Sequence, residues 1–144
     1  MTLQVGVKAF LKNPEGKYLL LKRSPAKYGK TDGSWDIVGG RIDAGSTLLE
    51  NLRREIKEET RLDLTSEPKL VFAQDILRGN DKHVVRLSYV ADISGDPILD
   101  LEENVEYKWL SLLEMKGMPD LDIYVKEILE QGILAEELAA QSSL

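Results

Sequence analysis

Apolar and polar residues alternate along several short stretches of the chain. Val5-Gly6-Val7-Lys8-Ala9-Phe10-Leu11 reads as a strand, Asn13-Pro14-Glu15-Gly16 as a turn, and Lys17 to Lys22 as a second strand. Ser24 to Ser34, rich in Gly, Lys and Ser, predicts a polar loop leading to the apolar segment Trp35-Asp36-Ile37-Val38, which Gly39-Gly40 ends. Lys69 to Ile76 and His83 to Ile93 predict strands around the turn Arg78-Gly79-Asn80-Asp81. In the second of these, Val85, Leu87, Tyr89 and Ala91 alternate with Val84, Arg86, Ser88 and Val90, the pattern of a mostly buried strand. Glu106 to Leu110 is the last predicted strand.

Near residue 46 the period changes. Thr47 with Glu50 three residues later fits a capping box, so a helix should start at Ser46 or Thr47 and run to about Thr60. Leu48, Leu49, Leu52 and Ile56 form its apolar stripe. Pro119-Asp120 opens a second amphipathic helix through Gln131, with Gly132 as its stop, and the tail from Ile133 to Leu144 either continues as helix or frays. Mixed strands with two helices predict an α+β fold, and residues 1–144 read as one domain without repeat, low-complexity segment or linker.

Composition narrows the function. The chain has no cysteine, which excludes disulfides, thiolate zinc and a cysteine nucleophile. Its single histidine, His83, rules out paired-histidine metal motifs and reads as a polar strand-end residue. The first residues lack a signal-peptide plan, and no apolar run approaches the roughly 18 residues that span a bilayer. A cytoplasmic location with no membrane partner is the expectation. The net charge of −6 argues against a nonspecific nucleic-acid binder but leaves room for a small anionic substrate.

The run Arg54-Glu55-Ile56-Lys57-Glu58-Glu59 carries the chemistry. Spacings of three and four bring Glu55, Glu58 and Glu59 to neighbouring positions on one side of a helix, where they repel each other. A hard divalent cation, Mg²⁺ or Mn²⁺, would turn that repulsion into attraction. Strand, glycine loop and helix follow one another, with the acidic cluster beside the packed stripe.

In this register the residues resemble the Nudix hydrolases, whose signature runs Gly, five residues, Glu, seven residues, then Arg-Glu-aliphatic-any-Glu-Glu-any-Gly-aliphatic. Gly40, Arg54, Glu55, Ile56, Glu58, Glu59 and Leu62 fall in place. Ser46 stands where the family has its first Glu, Arg61 where it has the late Gly, and Val38 replaces a frequent proline. Lys17 to Arg23 resembles the family's early strand, and Glu103 to Trp109 its late acidic segment. The resemblance implies an α/β/α sandwich with a mixed sheet and a metal-dependent pyrophosphohydrolase. Such an enzyme cleaves a nucleoside diphosphate linked to another moiety, such as a nucleoside triphosphate or a modified nucleotide.

On that reading Glu55, Glu58 and Glu59 are the metal ligands, and Arg54 orients a glutamate or touches phosphate. Glu103, six residues before Trp109, is the chosen general base, with Glu102 and Glu106 as alternatives. Gly39 and Gly40 offer backbone N–H groups to phosphate, and Lys22, Arg23 and Arg41 are candidate phosphate contacts. Trp35 either stacks on a base or packs under the glycine loop, Tyr28 either closes over substrate or pins its loop, and Trp109 belongs to the core. Arg61 would cost stability if the helix ends there in a left-handed conformation. Because Ser46 cannot pair with Arg54, a catalytically weak nucleotide-binding sensor is the alternative reading. The sequence leaves open the base, the leaving group and whether the protein forms a homodimer.

Overall fold

The structure, a computed structural model, describes residues 1–29 and 33–134. One mixed sheet organises it. The strands are β1 (Thr2–Lys12), β2 (Tyr18–Arg23), β3 (Trp35–Asp36), β4 (Val38–Arg41), β5 (Lys69–Arg78), β6 (Lys82–Asp92) and β7 (Asn104–Leu110). Their order is β3-β2-β1-β6-β5, with β4 added to β1 and β7 to β2. β1 and β6 run parallel over their whole length, from Thr2 beside Lys82 to Lys12 beside Asp92. β1 and β2 pair only at Lys12 and Tyr18; beyond that point β1 takes β4 as its partner and β2 takes β3 and β7.

Alternation along β1 divides two cores. Val7, Ala9 and Leu11 face helix α2 (Leu48–Thr60) and pack with Leu52 and Ile56. Phe10 faces the other way, into a core completed by Leu112 and Met115 of α3 (Leu112–Lys116) and by Val125, Ile128 and Leu129 of α4 (Ile123–Glu130). Helices therefore cover both faces of the sheet, as an α/β/α sandwich requires. Leu52 and Ile56 are almost fully buried, and each such side chain contributes about 1.5–3 kcal/mol relative to exposure. Leu49 packs at the margin, whereas Leu48 is exposed and adds little.

The helix boundaries follow their caps. Thr47 accepts a 3.1 Å hydrogen bond from Glu50 N and opens α2. Arg61 closes it at φ 64°, the left-handed conformation that suits glycine better. The last helix begins later than its sequence suggests, at Ile123, because Asp122 caps Tyr124 N and Val125 N while Asp120 turns the chain at φ 58°. Two short helices add to those that the pattern of residues predicts. α1 (Pro25–Tyr28) lies inside the polar loop, and α3 is announced by the capping box of Ser111 and Glu114. Residues 30–32 of that loop and 135–144 of the tail lie outside the described residues. No helix among the described residues is long and apolar enough to cross a membrane.

Candidate active site

Helix α2 meets the sheet at its two glycines. A Cβ on Gly39, whose φ is 147°, would lie 2.0 Å from the Val7 carbonyl oxygen. A Cβ on Gly40 would meet the Glu55 carboxylate at 2.6 Å. The first glycine lets β4 dock on β1, and the second opens the space that the Glu55 carboxylate fills.

Beside them opens a cavity of about 490 Å³. Glu55, Glu58 and Glu59 line it together with Gly39, Gly40 and Arg41, and so do Arg23 and Glu103. The sheet supplies its floor through Gly6 and Lys8 of β1, Asp36 of β3 and Val84 and Arg86 of β6. Asp100, Asn104 and Asp122 contribute from other segments, and Arg78 comes from the end of β5. Of the three late glutamates weighed as base, Glu103 is the one that lines this space.

Arg54 does not line the cavity but organises its acidic wall. Nη2 donates to Glu55 Oε1 at 3.1 Å, and Nε lies 3.7 Å from Glu58 Oε1. Nη1 reaches the other way, to Asp43 Oδ2 at 2.9 Å and Asn51 Oδ1 at 2.7 Å. Ser46 is exposed and engages α2 through its carbonyl, which accepts from Asn51 Nδ2. The carboxylate that Ser46 lacks is thus supplied by Asp43, and the buried hub is Asn51. Neither residue stood out in the sequence. An Asn at the fourth helical position, facing the buried stripe, was the available signal.

Glu55 and Glu59 are both half-buried, whereas Glu58 is exposed. Part of the Glu59 surface opens on the cavity. Burial, with repulsion from Glu55 and Asp36, pushes the Glu59 carboxyl up to about 8 against the opposing pull of Lys8 and the Gly39 N–H. Among the described residues no three acidic or histidine side chains converge as a finished metal cage. The donor chemistry nevertheless fits a hard divalent cation: three carboxylates line one cavity.

Away from the glutamates the cavity floor is a buried charge cluster. Asp36 accepts from Arg86 Nη2 at 2.9 Å and from Arg23 Nη2 at 2.6 Å, and Lys8 Nζ lies 3.0 Å away. Asp122 joins through Arg86 at 3.4 Å and Arg23 at 3.5 Å. Arg23, a candidate phosphate contact, is therefore largely committed within the protein. The sequence flagged nothing at Asp36, Arg86 or Asp122, although a charged residue amid the apolar run from Val84 to Val90 demands a buried partner.

Other residues settle as follows. Trp35 does not line the cavity: it is 7% exposed, packed in the α3–α4 core with Lys108 over its ring, so the structure favours packing over stacking. Tyr28 and Lys27 of α1 both bond the Glu103 carboxylate. The Lys27 and Tyr28 hydrogen bonds hold Glu103 below the usual carboxylate range. Lys22 pairs in the sheet beside Glu106 and is absent from the cavity lining. Arg41 lines the rim and donates to Gln4. Trp109 is partly buried against the α2-side core. His83 lies on β6 with Nε2 2.7 Å from Asp75 Oδ1, outside the cavity.

Glycine loop, acidic helix face and sandwich occur together in known proteins. The family model for the NUDIX domain matches residues 2–131. The chain belongs to the Nudix family. The nucleoside triphosphatase NudI of Escherichia coli (strain K12 / DH10B) is 30% identical over 130 residues, covering 83% of this chain and 91% of that protein. NudI of Enterobacter sp. (strain 638) is 41% identical over 63 residues, a match spanning 42% of this chain and 44% of that protein. The crystal structure of a MutT protein from Methanosarcina mazei Go1 superposes with a TM-score of 0.78 at 27% identity, covering 90% of this chain and 91% of the other. As a Nudix member the chain is a pyrophosphohydrolase acting on nucleotides.

Proposed function

We propose that this Nudix hydrolase cleaves a phosphoanhydride bond of a nucleoside triphosphate or modified nucleotide, using Mg²⁺ or Mn²⁺ held by Glu55, Glu58 and Glu59. The observation that carries the reading is the sharing of one cavity by these three acids and by Lys8, Arg23, Arg41 and Arg78. Acids without cations would repel a polyphosphate, and cations without acids would hold it idle. The two NudI relatives are named nucleoside triphosphatases, which supports a triphosphate as the substrate class.

Bound there, the cation would polarise a phosphate oxygen and supply an activated water. The chain's own groups do the rest. Arg54 orients Glu55 by a hydrogen bond and places its charge beside Glu58. Arg41 at the rim and Lys8 on the floor place positive charge near phosphate. Glu103 is the proton acceptor of this proposal. Its depressed pKa keeps it ionised, and releasing Lys27 or Tyr28 would free an oxygen to face water. The sensor reading loses its main support, since Asp43 gives Arg54 the carboxylate that Ser46 does not.

Phosphorus NMR of the products from a nucleoside triphosphate tests the reading. Nucleoside monophosphate with pyrophosphate is the expected pair. Nucleoside diphosphate with orthophosphate would move the cleavage to the terminal phosphate, and no product in the presence of metal would contradict the reading.

A further inference from the structure

Asn51 is fully buried, and its amide is saturated. Oδ1 accepts from Asp43 N at 2.8 Å and from Arg54 Nη1 at 2.7 Å. Nδ2 donates to Ser46 O at 3.2 Å and Thr47 O at 2.7 Å. One side chain thus joins the loop before α2 to the helix's first turn and holds Asp43 beside Arg54. The Asp43 carboxylate is exposed, yet it lies 2.9 Å from Arg54 Nη1.

We propose that Asp43, held in place by Asn51, is a positioning residue that occupies Arg54 Nη1 and keeps the donors of that nitrogen off Glu55 and Glu58, leaving the glutamates' remaining oxygens free for a divalent cation. The inference rests on the metal-dependent reading of those glutamates. A guanidinium carries five N–H donors and pairs most strongly with carboxylates. Without Asp43, the donors it occupies turn to Glu55 and Glu58, and the protein's own cation competes with the metal for the same oxygens. The direct field of an exposed carboxylate is screened by solvent, so Asp43 acts by occupying Arg54 and not by attracting the ion. Arg54 is also tied to the Arg41 carbonyl at 3.4 Å, so its position bears on the glycine loop as well.

The test is Mn²⁺ titration of the full, nucleotide-free chain, read by the resonance of the free ion. Asp43→Asn, Arg54→Ala, the double variant and Glu58→Gln are compared, with thermal midpoints as the check on folding. Asp43→Asn is expected to weaken Mn²⁺ binding about fivefold when Arg54 is present and less than about twofold when it is Ala, the non-additivity of groups acting through one another. Unchanged affinity in Asp43→Asn, or equal weakening in both backgrounds, overturns the proposal. Failure of the parent reading is separate and visible: Glu58→Gln would then bind Mn²⁺ as the unmodified chain does.

Discussion

Asp36 and Arg86 face each other at 2.9 Å beneath the cavity, and both are almost wholly buried. Burial alone would push the Asp36 carboxyl up, but Arg86, Lys8 and Arg23 outweigh it and hold the group well below the usual carboxylate range. The pair belongs to a cluster whose members come from β1, β2, β3, β6 and the cap of α4. It fixes the floor against which a substrate would rest.

Asp36→Asn should therefore destabilise the fold by about 3–5 kcal/mol near neutral pH, because it leaves buried cations without their counter-ion. The sign with pH follows from the depressed pKa. The carboxylate's contribution is fully present above its unfolded value of 3.8 and fades as pH falls below it. Chemical denaturation across pH should show a constant gap between the variant and the unmodified chain above about pH 5, narrowing in acid. A gap that widened in acid would contradict the assignment.

Arg61 is held at φ 64° with no compensating side-chain bond among the described contacts. Arg61→Gly should raise stability by about 1 kcal/mol, measured by urea denaturation, with turnover unchanged. Destabilisation would mean that the arginine side chain contributes something its backbone strain conceals.

Gly40→Ala should act on chemistry more than on stability. The added methyl would meet the flexible end of Glu55, which can move aside, so the fold survives while the carboxylate is displaced. Turnover should fall by about tenfold or more with a thermal midpoint within a few degrees of the unmodified chain, since small misplacements of catalytic groups are costly. Full activity would remove Glu55 from the working site.

Ser46→Glu should leave turnover equal or slightly higher, because Asp43 already occupies the outer side of Arg54. A large loss would assign the serine a role beyond the carbonyl that Asn51 binds.

How much of this was legible beforehand depends on how local each signal is. The α2 glutamates, their helix and its Thr47 cap follow from spacings within one segment, and the strands from alternation. Asp43, Asn51 and Arg54 lie within twelve residues, yet their contact depends on how the loop folds back onto the helix. Asp36, Arg86 and Asp122 are further apart still, and only the sheet order, with the Leu121–Asp122 segment bonded to Trp35, brings them together. Trp35 shows the converse limit. Its position beside the glycine loop suited stacking and packing equally, and its bridge to Leu121 turned it into the core.

If Glu55, Glu58 and Glu59 hold a divalent cation, hydrolysis must depend both on that ion and on these glutamates. The most direct test is product formation from nucleoside triphosphates, oxidised nucleotides, ADP-ribose, nucleotide sugars and dinucleoside polyphosphates, each with Mg²⁺, with Mn²⁺ and with chelator. Glu58→Gln and Glu59→Gln are run alongside. Metal-dependent cleavage of nucleoside triphosphates or modified nucleotides, abolished by chelator and lowered at least about tenfold in both folded variants, is the predicted result. Undiminished rates in both variants, or cleavage indifferent to chelator, would contradict it.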